Sequence, residues 1–354
     1  MLRHFRGSIL FALVAFALAG WYGWSQAHSL DGLLEALWIV LVLSVLEVSL
    51  SFDNAVVNAT VLKDMDPLWQ RRFLTWGMVI AVWGMYILLP LVIVAVSAGI
   101  GPVEAAHLSL EEPARYEAIV SAAHGSIAGF GGAFLGMVGL KFFFDEEKDV
   151  HWVKTVERFL SSASTVPAAE IAVILLALWA VSTQLPAPEN HTFLVAGLLG
   201  IVTFLAIDGL GTLMKKRESR LRAAGSLVTA GLGGFLYLNV LDASFSFDAV
   251  IGAFALSNNM IVIALGLSIG AMFVRSMTVM LVRRGTLTEY RYLEHGAFWA
   301  ILALAAIMLL SARFEIPETV TGLIGAVLIG FSLLWSILQN RREAAISRPE
   351  DRTA

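Results

Sequence analysis

The sequence predicts an all-α polytopic membrane protein of about ten transmembrane helices with an inverted internal repeat. Three observations predict it. The chain of 354 residues is 58% hydrophobic and only 15% charged, against about 25% charged in ordinary soluble domains. Ten segments approach the roughly 20 apolar residues that a bilayer-crossing helix needs. An acidic sentence occurs twice, as VLEVSLSFD at Val45 to Asp53 and VLDASFSFD at Val240 to Asp248, with six of nine positions identical and Asp242 standing for Glu47.

The apolar segments lie near 8–24, 33–62, 73–98, 118–143, 168–184, 193–214, 223–257, 260–282, 296–311 and 318–338. The first follows Arg3 and Arg6 and ends in Trp24-Ser25-Gln26-Ala27, whose small residues would also suit signal cleavage. A retained anchor over 1–32 is the favoured reading, because the next apolar run follows closely. The second and seventh segments are too long for one regular span and contain the acidic repeats. Each is therefore expected to bend or break around its serines, Ser49 to Ser51 and Ser244 to Ser246. The fourth carries Gly125, Gly129, Gly131, Gly132, Gly136 and Gly139, a run that permits close helix packing. The expected organisation is one transmembrane domain over 33–340, with motif-bearing halves 33–165 and 223–340, and a cytoplasmic tail over 341–354.

Basic residues set the orientation. With the N-terminus inside, twenty Lys and Arg fall in inside segments and only Arg115 and Arg313 fall outside. Both termini are then cytoplasmic. The second span runs inward and the seventh outward, so the two acidic motifs are inverted copies. Inverted repeats suit alternating access, with the substrate site near the membrane midplane where the halves meet.

Composition also excludes chemistry. The net charge is −4 and the basic residues form short clusters, which removes nucleic acid as a partner and leaves membrane lipid. There is no cysteine, so disulfides and thiolate sites are absent and hard oxygen donors remain. A carboxylate at the centre of a bilayer helix costs roughly 2.5–3.5 kcal/mol, and four imply about 10 kcal/mol without compensation. A bound cation, protonation or a water-lined cavity would offset that. On a regular helix Glu47 and Asp53 point about 120° apart, whereas Asn54 and Asn58 share the Glu47 stripe and Asn239 lies three residues before Asp242. Oxygen-rich sites of this type suit Mg, Ca or Mn.

Other polar residues inside the spans are weaker signals. Asp208 is a helper acid or proton carrier, or faces the basic loop that follows it. His124 is a ligand for a borderline metal, or the packing residue that a lone helix histidine more often is. Lys141 and Arg275 are expected to snorkel or to pair with an acid. No catalytic residue is assigned: the Gly-x-Gly-Asp signature of intramembrane aspartyl proteases, a nucleophile elbow, a zinc-protease helix and a nucleotide motif are all missing from the sequence.

The stretches EVSLSFDNAVVNA at 47–59 and LDASFSFDAVIGAFA at 241–255 resemble the twin signatures of TerC-type integral membrane proteins, the tellurium-resistance-associated C family. The similarity runs from about Gly32 to Gln339. It implies a bacterial inner-membrane protein of the lysine-exporter-like superfamily, whose members are associated with manganese(II) export, metal homeostasis and tellurite resistance. By position, Glu47, Asp53 and Asn54 match the first signature, and Asp242, Ser246 and Asp248 match the second. The chain departs from the family at Asn239, where an acid is common, and at Ala249, where a serine is common. The resulting expectation is a divalent-cation transporter, not an enzyme, that exports Mn(II) by cation/proton exchange. Glu47, Asp53, Asp242 and Asp248 are its candidate ligands and Asn54, Asn58, Asn239 and Ser246 its neutral helpers, with the cation as substrate and no resident cofactor. The alternative is a non-transporting membrane scaffold of the stress-response type whose acids bind metal structurally.

Overall fold

A computed structural model of the chain describes residues 2–63, 65–77, 80–145, 150–163, 166, 168–223, 231–254, 256–257, 259–314 and 316–346. The described residues are predominantly helical, without strands. In chain order the helices are α1 (Leu2–Ala27), α2 (Leu30–Leu50), α3 (Phe52–Leu62) and α4 (Pro67–Arg72). Two π-helical stretches come next, π1 (Phe73–Gly77) and π2 (Ile80–Leu88), and then α5 (Leu89–Ala98), α6 (Pro102–Glu111), α7 (Pro113–Ala122) and α8 (His124–Phe143). The remainder are α9 (Lys154–Ala163), α10 (Ala169–Ser182), α11 (Glu189–Ala223), α12 (Leu232–Phe254), α13 (Met260–Arg284), α14 (Thr286–Glu289), α15 (Leu293–Ser311) and α16 (Glu318–Ile346).

Among the described residues, each of the ten apolar segments of the sequence overlaps an apolar helix, the second, third and fourth being divided between consecutive helices. Seven are long and apolar enough to cross a membrane, and three apolar stretches are shorter: Tyr86–Val96, Ala169–Ser182 and Leu232–Phe245. The first of these takes in the end of π2 and most of α5, and the last opens α12, which runs for 23 residues through the acidic motif. The chain is a polytopic membrane protein. Trp21, Trp38, Trp83, Trp179 and Trp335 are exposed on its surface, as lipid-facing and interfacial positions require.

Helix α8 is the axis of the bundle, with every residue from Gly131 to Leu140 buried. Its glycines explain how α8 sits so deep. Gly132 leaves room for the Ala305 carbonyl, which an added Cβ would approach to 3.1 Å, and Gly139 packs against Leu302 of α15. On another side Gly129 meets the Phe193 ring of α11, and Phe134 meets Phe204 edge-on. Gly125, at the end of the series, faces open space. Without a hydrophobic driving force between helices in lipid, such close approach is what holds them.

The contacts also fix directions. Helix α1 runs antiparallel to α2, with Gly20 against Leu37 and Gly23 against Ala36. It is tied to α13 at both ends, by Ser8 Oγ donating to the Met272 carbonyl (2.7 Å) and by Asn259 Nδ2 donating to the Tyr22 hydroxyl (2.8 Å). The anchor expected over 1–32 is thus part of the helical bundle. Helices α2 and α13 are parallel, with Leu43 beside Gly266 and Glu47 beside Gly270. Helix α12 is antiparallel to α3: Gly231 lies against Trp69 and Gly234 against Met65, while further along α12 Asp242 meets Asn58. The two motif-bearing helices therefore run in opposite directions. The predicted tail from residue 341 begins as the last turns of α16, which reaches Ile346.

Between α8 and α10, helix α9 is fastened by a buried acid. Glu157 accepts from the Trp152 and Val153 amides (both 3.1 Å) and from Trp299 Nε1 of α15 (3.1 Å). His295 lies 3.5 Å from the same carboxylate and also contacts the Val150 carbonyl. An acid in the first turn suits the positive end of the helix dipole.

Gly132→Leu should therefore destabilise the bundle by about 1–3 kcal/mol through overpacking, whereas Gly125→Ala should leave stability unchanged. Denaturation of both variants in detergent checks this.

Candidate functional site

The first acidic motif straddles the junction of α2 and α3. Only Ser51 leaves helical assignment there, at φ −100° and ψ 17°. Its amide still bonds the Glu47 carbonyl at 2.9 Å and its own carbonyl still accepts from Ala55 at 3.3 Å. The break is thus a one-residue kink that frees no Glu47 carbonyl. Ser51 Oγ instead donates to Glu47 Oε1 at 2.7 Å, the local side-chain bonding that serine favours over plain helix. Tyr86, carried by π2, donates to the same oxygen at 2.9 Å. Gly270 of α13 makes room for the side chain, since a Cβ there would collide with Glu47 and lie 3.0 Å from the Ser44 carbonyl.

Just beyond Ser51, Asp53 is 6% exposed. Its Oδ1 accepts from the Asn54 amide at 3.0 Å and its Oδ2 faces the backbone of Gly325 in α16. Asn54 and Asn58 are both buried. Asn58 Nδ2 donates to Asp242 Oδ1 at 2.7 Å, joining the two motifs directly. On the far side of Asp242, Arg275 Nη2 of α13 lies 3.7 Å from Oδ2. The guanidinium stacks over the Phe73 ring of π1, 4.7 Å from its centroid. Glu47 is within electrostatic range of both Asp242 and Asp53. Three oxygens in this cluster, Glu47 Oε2, Asn54 Oδ1 and Asn58 Oδ1, are buried without a hydrogen-bond partner.

The second motif departs from the expectation. Helix α12 runs unbroken from Leu232 to Phe254, so Ser244 to Ser246 do not interrupt it. Ser244 Oγ folds back onto the Val240 carbonyl at 3.0 Å, which satisfies the hydroxyl without distorting the helix. The side chains of Ser246 and Asp248 lie outside the described residues. Asn239 bonds the Phe235 carbonyl of its own helix at 2.7 Å rather than a carboxylate of the site. Asp208 pairs with Lys141 of α8 beside a cavity of about 260 Å³ that Tyr237 also lines, which takes it out of the cluster and gives Lys141 the acid it was expected to find. His124, half-buried at the start of α8, is not among the residues that bond these groups.

The structure thus brings together Glu47, Asp53, Asn54, Asn58 and Asp242. Tyr86 joins as a donor that the sequence does not single out, Ser51 as a serine expected at the break, and Arg275 as a cation expected either to snorkel or to pair with an acid. A tyrosine in an apolar run carries no signal of its own, since only the register of π2 aims it at Glu47. Among the described residues no group of three or more His, Asp or Glu converges as a metal cage. The reason is visible: Glu47 is turned to Ser51 and Tyr86, Asp53 to Gly325, and Asp242 to Asn58 and Arg275.

An all-helical membrane bundle with antiparallel acidic helices and a buried cluster of carboxylates, amides and one arginine defines a class of intramembrane polar-site proteins. Residues 52–343 match the model of a family described as protein of unknown function, DUF475, and the chain belongs to that family. The match begins at Phe52, so it takes in only the last two residues of VLEVSLSFD, with Asn54 and Asn58 after them, and it covers the whole of the second motif. No curated protein and no solved structure matches the chain.

Removing a donor from a buried carboxylate leaves an unmade bond that costs about 1–3 kcal/mol. Asn58→Leu and Tyr86→Phe should each lower stability by that amount, read as a shift in the denaturation midpoint of the purified protein.

Proposed function

We propose that this protein carries a divalent cation across the membrane through the α2–α3 and α12 cluster, exporting Mn(II) from a bacterial cytoplasm in exchange for protons. The observation that carries the reading is the set of three buried acceptor oxygens, Glu47 Oε2, Asn54 Oδ1 and Asn58 Oδ1, that have no donor. They succeed one another along α2 and α3 beside the carboxylates of Asp53 and Asp242. A cation bound among these oxygens would satisfy all three at once. Hard oxygens of mixed carboxylate and amide type suit Mg, Ca or Mn; the resemblance of the paired motifs to TerC-type proteins favours Mn.

The antiparallel course of the motif helices supports transport by alternating access, because inverted elements meeting at one site can exchange inward- and outward-open arrangements. The acids have separate neighbours in this conformation, so cage formation requires them to turn inward together. Charge favours exchange. Glu47, Asp53, Asp242 and Asp248 carry −4 in sequence, and Arg275 and one divalent ion return +3, so an ion alone does not neutralise the site. In the membrane frame, the basic ends of the helices face the cytoplasm and both termini lie inside.

Purified protein in proteoliposomes loaded with Mn(II) and a pH-sensitive dye should show opposite metal and proton fluxes. Glu47→Gln and Asp53→Asn should abolish the metal flux. They should also raise the denaturation midpoint without metal, since each removes a costly buried charge. Binding without flux would leave a membrane scaffold, and metal flux insensitive to a pH gradient would leave a uniporter. In this cysteine-free chain, single cysteines beside Lys63 and Lys216 should resist impermeant thiol reagents applied from outside, while those beside Glu111 and Glu189 should react. Labelling beside Lys216 would reverse the orientation.

A further inference from the structure

The two motifs are equivalent in sequence but not in electrostatics. Glu47 and Asp242 occupy the same motif position. Glu47 is held by two neutral donors, Ser51 and Tyr86, whereas Asp242 faces a cation, Arg275. That arginine is buried, with its side chain 10% exposed. It is also loosely held, since Nη2 stands 3.7 Å from the carboxylate, beyond hydrogen-bond distance, and Nη1 is buried without a partner. Its other support is the face of Phe73 at 4.7 Å. Gly77 leaves room beside the guanidinium, where a Cβ would lie 3.3 Å from Nη2. A buried arginine fixed only as a structural partner would be expected in bidentate contact.

We propose that Arg275 is a tethered cation that competes with the transported ion for Asp242. The ion first meets the Glu47, Asn54 and Asn58 oxygens. Asp242 joins its shell only when the guanidinium withdraws from the carboxylate, and the return of the guanidinium expels the ion. The arginine thereby keeps affinity low enough for release, a requirement of any carrier site that must bind and let go. The inference rests on the transporter reading of the same site.

The test is equilibrium Mn(II) binding and Mn(II) flux in proteoliposomes for the full chain and three variants. Arg275→Met removes the competing charge at similar length, so Mn(II) binding should tighten by roughly tenfold to a hundredfold while flux falls, because release becomes slow. Arg275→Lys keeps the charge and should stay near the wild type in affinity. Arg275→Gln removes the charge but keeps a polar head group, and should tighten Mn(II) binding in the same direction as Arg275→Met. A purely structural arginine would not tighten binding when removed. Unchanged or weaker Mn(II) affinity in folded Arg275→Met overturns the proposal. Should that variant fail to fold, unchanged or weaker affinity in Arg275→Gln overturns it. Wild-type protein that binds no Mn(II) overturns the transporter reading itself, and this inference falls with it.

Discussion

The bond from Asn58 to Asp242 spans the seam between the two acidic motifs, and the burial of charge at that seam constrains the rest of the molecule. An ionised carboxylate inside a hydrocarbon-facing bundle is tolerable only with donors aimed at it. Each acid accordingly draws a partner from another element or from a neighbouring turn. Glu47 takes Ser51 and Tyr86, Asp53 takes the Asn54 amide, and Asp242 takes Asn58 and Arg275. Partners drawn from α3, π2 and α13 hold in register helices that would otherwise slide along one another.

Small residues make this geometry possible. Gly270 admits the Glu47 side chain against α13, and Gly325 admits the Asp53 carboxylate against α16. The glycines of α8 let it sink into the bundle and support α11 and α15 around it. The π-helical stretches serve a related purpose. Bonding from residue i to i+5 widens the helix and rotates the turns beyond it, a distortion often found at functional sites. Here it brings Tyr86 to Glu47 and Phe73 beneath Arg275. Close packing therefore surrounds a cluster that holds buried acceptor oxygens without donors.

Symmetry is broken at the same place. Asn54 and Asn58 follow the first motif, whereas Ala249 and Ala253 stand at the matching positions of the second. The amide oxygens come from one half, and the counter-cation faces the other. Two antiparallel elements of similar sequence thus bring chemically different groups to one buried cluster.

Much of this was legible in the sequence. Apolar length marks helices because a bilayer core leaves the backbone no other partner, and all ten such segments overlap apolar helices. The duplicated motif announced the acidic seam, since ionisable residues inside spans are rare and expensive. The glycine run announced the depth of α8. The sequence by itself thus determined class and the apolar helices, and it singled out Glu47, Asp53 and Asp242, which the structure buries together. It did not determine how those acids are partnered. Serines in both motifs suggested two broken helices, but Ser51 kinks one and Ser244 bonds back within an unbroken other. Asn239 and Asp208 looked equal to Asn58 and Asp242 as polar residues in apolar runs, yet one bonds its own helix and the other pairs with Lys141. Tyr86 carried no signal. Only tertiary structure decided these, because a hydrogen bond or ion pair between distant segments depends on the rotation and depth of each helix. Those are set by packing against neighbours, which one-dimensional periodicity does not encode.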